Sequence, residues 1–594
     1  MSVDTEEKET QVLIVGGGIV GLTSALLLQQ QGIDCVLVEK HPSTCIHPRA
    51  RGFNSRSMEI MRSIGLEDAI FEAGSDLAPS KGIYSGTTLV QVMASHTLKL
   101  RAIAIGVTLV TLFYALYRLL PGLWFSATMG LITYALVRRF APLFVLMKRG
   151  SPSSFVRCTQ DIVEPLLLAT ATKRSDHFTQ HFLTECTAIK QDDAGVTATL
   201  VSTVDGATRH IRAQYVLACD GARSPIRGML GIERTNSVCA SSMHMNLYFR
   251  APAIAPYVKG REFSLCHVEN QHVRGLFASI NNKDLWVLHV AMKPGETSAS
   301  YSSHRCINLI KAAVGIDSLN VELKGALPWE SVARVAETYR RGRVFLAGDS
   351  AHVMPPWGGF GANSGIADSH NIVWKLSAVL RGEAGDALLD TYQAERRPLA
   401  VKLSTLAASM NDPKGLFDIS YRMYITIIFR VLPYICLGYG YNSKSITHDQ
   451  DATELPDVNS LDLVGRPGTR FPHRNVVVTT QDNQEEEGEP KSTLDLLDNT
   501  KSTLFVVGDS RWEIVARELL AENEQLPLQI ISTNHLESLA KPIVYRKDFG
   551  VGTSGALLIR PDGFVAWRSI DDSQASKLQL TKHINTLYCS GSNQ

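Results

Sequence analysis

The chain lacks several things that would otherwise guide its reading. Among 594 residues there are ten cysteines but no Cys-x-x-Cys pair and no Cys/His cluster at zinc-ligand spacing. That pattern suits a reducing compartment, offers no structural zinc and implies no metal. There is no surplus of charge, with 59 Lys and Arg against 58 Asp and Glu. A balanced chain has no basic field to hold nucleic acid, so a nucleic-acid partner is not expected. The first ten residues are charged and polar and lead straight into a strand pattern, with no secretory apolar stretch, so synthesis in the cytosol is expected. No internal repeat is seen. The composition, 45% hydrophobic and 20% charged, excludes a disordered chain, and at about 150 residues per domain the length allows three or four domains.

One absence is local. Leu77 to Gln160 contains no Asp or Glu but nine Lys or Arg, and residues 102–117 and 119–137 are two uncharged, largely apolar runs. Sixteen helical residues reach about 24 Å, short of the ~30 Å hydrocarbon core, and the second run opens with Leu120-Pro121-Gly122. A shallow helical hairpin fits better than two spans. Lys99 and Arg101 before it and Arg138, Arg139, Lys148 and Arg149 after it fall on one side, which keeps the body on the cytoplasmic face. Residues 98–148 are therefore read as a membrane contact, with a pair of lid helices over a substrate domain as the alternative.

The densest signal is at the start. Residues 11–40 read as strand, glycine turn, helix, strand and acid. Gly16, Gly18 and Gly21 form G-x-G-x-x-G: the first allows a tight turn, the second close approach of a pyrophosphate, the third close helix packing. Glu39 ends the next strand, where an acid accepts hydrogen bonds from an adenosine ribose. Far downstream, Cys219-Asp220-Gly221-Ala222-Arg223-Ser224-Pro225-Ile226-Arg227 and Gly348-Asp349-Ser350-Ala351-His352 each follow a buried strand.

These segments together resemble the single-component FAD-dependent aromatic hydroxylases typified by p-hydroxybenzoate hydroxylase, in the phenol and polyketide hydroxylase branch with a C-terminal thioredoxin-like domain. The resemblance covers about residues 10–95 and 155–590. It implies an α/β fold: a Rossmann-like FAD-binding domain from 1–90, 151–235 and 330–400, a β-rich substrate domain at 236–329, a helical connector at 401–450 and a thioredoxin-like domain at 451–594. The apolar basic insertion at 95–150 departs from the family. The resemblance also implies residue roles. Gly16, Gly18, Gly21 and Glu39 bind the ADP half of FAD. Arg49, in His47-Pro48-Arg49-Ala50, approaches the pyrophosphate or the nicotinamide cofactor, and Gln160 contacts FAD. Asp220 and Gly221 with Arg227 lie near the pyrophosphate and the NADPH path, and Gly348 with Asp349 holds the ribityl chain. Pro356, Gly359, Ala362 and Asn363 belong to a loop that leads into the helix facing the isoalloxazine, whose N-terminal amides suit the anionic reduced ring.

The implied activity is NAD(P)H- and O2-dependent hydroxylation of an electron-rich phenolic or polyketide-like substrate through a C4a-hydroperoxide. Epoxidation, Baeyer-Villiger insertion and dehydrogenation are alternatives within the fold, and a non-catalytic membrane flavoprotein is a remote one. No protein nucleophile is required and none is assigned. His352 and His370 are read as structural, Trp357 as either shaping the substrate face or packing, and the aromatic and Met residues of 240–330 as mostly core. The last domain has Cys589 as its single cysteine and is read as a packing or dimerisation module without redox chemistry.

Overall fold

The computed structural model describes residues 8–77, 82–94, 150–174, 177–235, 241–413, 415–418, 438–449, 464–478, 489–538 and 545–590. The run 98–148 lies outside the described residues, as does most of the acidic segment at 481–490. Among the described residues no helix is long and apolar enough to cross a membrane.

The expected βαβ unit is present as strand Lys8–Val15, helix Ile19–Gln30 and strand Cys35–Val38. Val12, Leu13 and Ile14 are all fully buried, because both faces of a parallel strand are covered by helices. On one side this first strand pairs in parallel with Cys35–Val38, which in turn pairs with Phe178–His181. On the other it pairs with Thr208–Ala218, then Val344–Leu346. An antiparallel arm of Thr184–Gln191 and Val196–Ser202 extends from the Thr208–Ala218 strand. The consequence for the site is direct. The glycine turn, Cys219-Asp220-Gly221 and Gly348-Asp349 all leave the same carboxyl edge of adjacent strands, although some 330 residues separate the first from the last.

A second, six-stranded sheet carries strands Ser242–Arg250, Leu265–Glu269, Arg274–Ser279 and Leu285–Ala291, as the sequence suggests. Glu322–Ser331 adds one edge and Ile83–Gly86 the other. Ile83–Gly86 and the helix Leu89–Ala94 pack in this second core, whereas sequence reading groups residues up to 90 with the first layer. Along Ser242–Arg250 the side chains alternate. Met245, Leu247 and Phe249 enter the core, leaving His244, Asn246 and Tyr248 on the opposite face.

The C-terminal sheet orders Leu528–Ser532, Ser502–Val506, Ala556–Ile559 and Val565–Ser569, with helices Arg511–Glu522 and Lys577–Tyr588. The hairpin turn at Pro561-Asp562-Gly563 forms as expected, with Gly563 at φ +76°. Of the helical connector expected at 401–450, residues 419–437 lie outside the described residues. Helix Ala387–Ala408 runs through Pro398 and stops, and residues 438–449 are not helical. Tyr439 and Tyr441 instead pack on Phe564, so burial against the hairpin decides the path of this segment.

A buried charge cluster locks the C-terminal module onto the first layer. The Glu395 carboxylate accepts from Arg560 at 2.6 and 2.9 Å, from Lys375 at 2.8 Å and from Asn371 at 2.7 Å. Arg560 also binds Asp562, and all four charged side chains are at most 1% exposed. Two carboxylates meet two cations, so the cluster is neutral. Removing one member strands a buried charge at a cost of about 3–5 kcal/mol. Glu395→Gln is therefore expected to lower the unfolding free energy by that order in denaturant titration, and a loss under about 1 kcal/mol would show that the cluster does not bind the two layers.

Candidate active site

The glycine turn is fixed by contact as well as by conformation. Gly16 has φ +111°, and a Cβ there would lie 2.3 Å from the Cys219 carbonyl oxygen. A Cβ on Gly21 would lie 1.9 Å from the Gly16 carbonyl oxygen. Gly18 differs: its nearest neighbour would be Glu164 Oε1 at 3.5 Å, so the protein alone leaves room there. That room is what close approach of a pyrophosphate needs. Glu39 accepts from the Gly17 amide at 2.7 Å and the His41 amide at 2.9 Å. A carboxylate has about four acceptor sites, so these bonds position Glu39 and leave capacity for ribose hydroxyls.

Glu164 completes this corner and was not singled out from sequence. Fully buried, it accepts from the Ile19 amide at 2.9 Å, the Cys45 amide at 2.7 Å and Gln160 Nε2 at 2.6 Å. Burial pushes its carboxyl up, offset by those donors. Gln160 also pairs with Ala50 through its backbone and side chain, which ties its helix to the loop bearing Arg49. The Arg49 guanidinium makes no hydrogen bond among the described residues and lies near enough to Asp349 and Glu164 to lower both carboxyls.

The other two loops meet this corner. Asp220 accepts from the Ile226 amide at 3.0 Å through Oδ2, while its buried Oδ1 has no partner. Burial raises its carboxyl. Gly221 sits beside it at φ +84°. Arg227 is buried and donates to the Ser350 carbonyl at 2.9 Å, so it staples one loop to the other. Asp349 is exposed to solvent. The protein around it still removes enough water to push the carboxyl up, with His352 and Arg49 pulling it back. Gly348 has φ +63° and donates its amide to Asp368 at 3.1 Å. Asp368 also bonds His352 at 2.7 Å and Arg396 at 2.6 Å, which gives His352 the structural role expected of it. His370 lies against Arg56 Nη2 at 3.3 Å, also away from any catalytic partner.

Pro356 precedes two left-handed glycines, Gly358 at φ +80° and Gly359 at φ +68°, and helix Phe360–Leu380 begins there with no side-chain cap. Its first-turn amides are open to a ligand carrying negative charge. Ala362 lies on that first turn, packed against the core of the first layer. Asn363 anchors the turn, accepting from the Asn54 amide at 2.9 Å and Ser57 Oγ at 2.6 Å and donating to the Gly359 carbonyl at 2.7 Å. Trp357 is 4% exposed, bonded to Asn411 and packed on Trp329 and Phe417, so the packing alternative holds.

Facing this turn is the polar side of the β-rich sheet. The His244 ring stacks on Trp329 at 4.6 Å, His289 meets Trp329 edge-on at 5.7 Å, and His47 lies 5.4 Å from Tyr248. Both nitrogens of His47, the Nδ1 atoms of His244 and His289, Asn246 Oδ1 and Trp329 Nε1 are buried without a partner. Buried polar atoms are normally paired, so this concentration marks a face built for a ligand. Most aromatics of 240–330 are in the core as expected, Phe249, Phe263, Phe277 and Trp286 among them, but the polar face beside them is not singled out from sequence. The period of two in His244-Met245-Asn246-Leu247-Tyr248-Phe249 was the available signal.

The donor set fits a dinucleotide: room at Gly18, an unpaired Arg49, an unpartnered Asp220 oxygen and an uncapped helix. A family model described as FAD binding domain matches residues 9–407, and one described as aromatic-ring hydroxylase, C-terminal, matches residues 464–587. Tetracenomycin A2 monooxygenase-dioxygenase of Streptomyces glaucescens is 34% identical, covering 95% of this chain and 94% of the relative. A 4-methyl-5-nitrocatechol 5-monooxygenase of a Burkholderia species is 31% identical, covering 98% of each. The crystal structure of aklavinone-11 hydroxylase with FAD and aklavinone superposes with a TM-score of 0.75 at 28% identity, covering 98% of this chain and 100% of that one. The chain belongs to the FAD-dependent aromatic-ring hydroxylases, a family of flavoprotein monooxygenases.

Proposed function

We propose that this enzyme hydroxylates a phenolic or polyketide-like aromatic, using NAD(P)H and O2. The observation that carries the reading is the face of unpartnered polar atoms on the β-rich sheet, set against the uncapped start of helix Phe360–Leu380. The similarity to enzymes named for tetracenomycin and nitrocatechol substrates supports the same class.

FAD, when bound, supplies the electron transfer and oxygen activation that no side chain can. Gly16, Gly18, Gly21 and Glu39 would hold its ADP half, Asp349 its ribityl hydroxyls, and the Gly359–Ala362 turn the electron-rich edge of the ring. Arg49 and Asp220 would meet the pyrophosphate and the nicotinamide cofactor. The protein's own work is orientation and exclusion of water. Trp329, Trp357, Phe360 and Phe417 pack into one apolar cluster beside the polar face, and the histidines would supply neutral donors and acceptors for substrate oxygens. Membrane contact through residues 98–148 and a homodimer through the C-terminal module are carried by the sequence reading alone.

Anaerobic stopped-flow reduction by NADPH, run with phenols and hydroxylated polycyclic aromatics, tests the reading. One class should accelerate reduction at least tenfold, and equal rates with every ligand would sink it. Asp349→Ala should weaken FAD retention at least about tenfold, the loss expected for one charge-assisted hydrogen bond, as read by flavin release on dilution. An unchanged flavin affinity would move the ribityl contact elsewhere.

The neutral histidines set a pH dependence. Burial, with Arg49 beside it, brings His47 down to about 4, and burial brings His244 to about 4 as well. Burial drives His289 well below its ordinary value, helped by Arg51. The unfolded chain therefore takes up protons, near pH ~6.5 and below, that the native state refuses. Stability is full above that pH and falls as pH drops toward 4, by about 1.4 kcal/mol per unit for each histidine. His244→Asn should flatten the decline of the denaturation midpoint between about pH 6 and 4.5, and an unchanged slope would contradict a neutral His244.

A further inference from the structure

The polar face of the β-rich sheet carries a cation that the cofactor groove does not use. Arg51 leaves the loop after Glu39 and directs Nη1 toward two carbonyl oxygens at strand ends, Ser264 at 3.4 Å and Ser279 at 3.5 Å. Both contacts are long, and its Nε and Nη2 make no hydrogen bond among the described residues. Arg157 donates to the same Ser279 carbonyl at 2.8 Å, so two guanidiniums converge on one peptide oxygen. Burial and this neighbour bring Arg51 down to about 10.

The groups facing Arg51 do not neutralise it. His47, His244 and His289 are uncharged for the reasons already given, and the Arg51 charge acts on His289, whose ring Nδ1 is unpartnered. Three acids act on this face: Asp284 is paired with Arg250 at 2.7 Å and Asp412 with Arg274, while Asp161 acts on Tyr248, has its own carboxyl raised by burial and makes no hydrogen bond to Arg51. The face is thus polar, low in water and positive. A neutral hydrocarbon gains nothing from it, whereas a guanidinium meeting an oxyanion forms a strong charge-assisted bond.

We propose that Arg51 binds the ionised oxygen of the aromatic substrate, a phenolate, with His47 and His289 flanking it as neutral partners for adjacent hydroxyls. The inference rests on the hydroxylase reading and names the form in which the substrate is held. The phenol O–H bond breaks, its proton passes to solvent, and the electron pair stays on oxygen and spreads to the ortho and para ring carbons. Those are the carbons an electrophilic oxygen attacks.

Alizarin, a hydroxyanthraquinone whose phenolate absorbs beyond the flavin band, is the probe. Titrated on the FAD-loaded enzyme, bound alizarin should ionise at a pH at least about one unit below free dye, a tenfold shift consistent with an opposite charge nearby. Arg51→Gln should return the midpoint to that of free dye with the flavin spectrum unchanged, while Arg51→Lys keeps part of the shift. Unshifted ionisation, or no binding of the dye, overturns the assignment. Anthraquinone carboxylate binding as tightly as alizarin and depending equally on Arg51 would overturn the phenolate in favour of a carboxylate. Substrate-accelerated reduction by NADPH on the same preparation reports separately on the hydroxylase reading, so the two can fail independently.

Discussion

The carboxylate of Asp368 is the constraint on which the site depends. It lies buried in the long helix after the glycine loop and receives the Gly348 amide, His352 and Arg396. Through those bonds one residue fixes the loop bearing Asp349, the helix whose first turn is open to a ligand, and the helix Ala387–Ala408 behind both. Glu164 does the same for the opposite end of the groove, joining the glycine helix to the loops of Cys45 and Gln160. Both act through backbone amides as well as side chains. Ligand-facing loops from distant parts of the chain thereby share one rigid frame.

That division explains what was legible in the sequence. The glycine positions could be read because their requirement is local: a left-handed φ at Gly16, a contact at Gly21, a turn at Gly359. The parallel strands could be read because burial on both faces leaves continuous apolar runs. Glu164 and Asp368 could not, since a buried acid in a helix looks like a solvated one until its partners are known. Trp357 allowed a substrate-facing and a packing role alike, and the packing of Trp329 and Phe417 around it decides for the second.

The β-rich sheet lies between these cases. Its strands were visible, but the division of each strand into a core side and a groove side was not drawn, although the alternation along Ser242–Arg250 contains it. Polar residues on a sheet face are ordinarily solvated, and here they are enclosed. What converts a bland pattern into a recognition surface is the loop of Trp357 and Phe360 closing over it. That closure belongs to tertiary structure.

The hairpin at Asp562 has a last implication. Its carbonyl accepts from Arg56, a residue of the segment that also anchors Asn363, and its carboxylate belongs to the cluster around Glu395. A module that resembles a detachable appendage is thus wedged against the frame of the flavin groove. The seam between the two matched family models is crossed by buried charge pairs and is no boundary of packing. A chain ended at that seam would leave Glu395 and Lys375 without Arg560 and Asp562, an unfinished catalytic body.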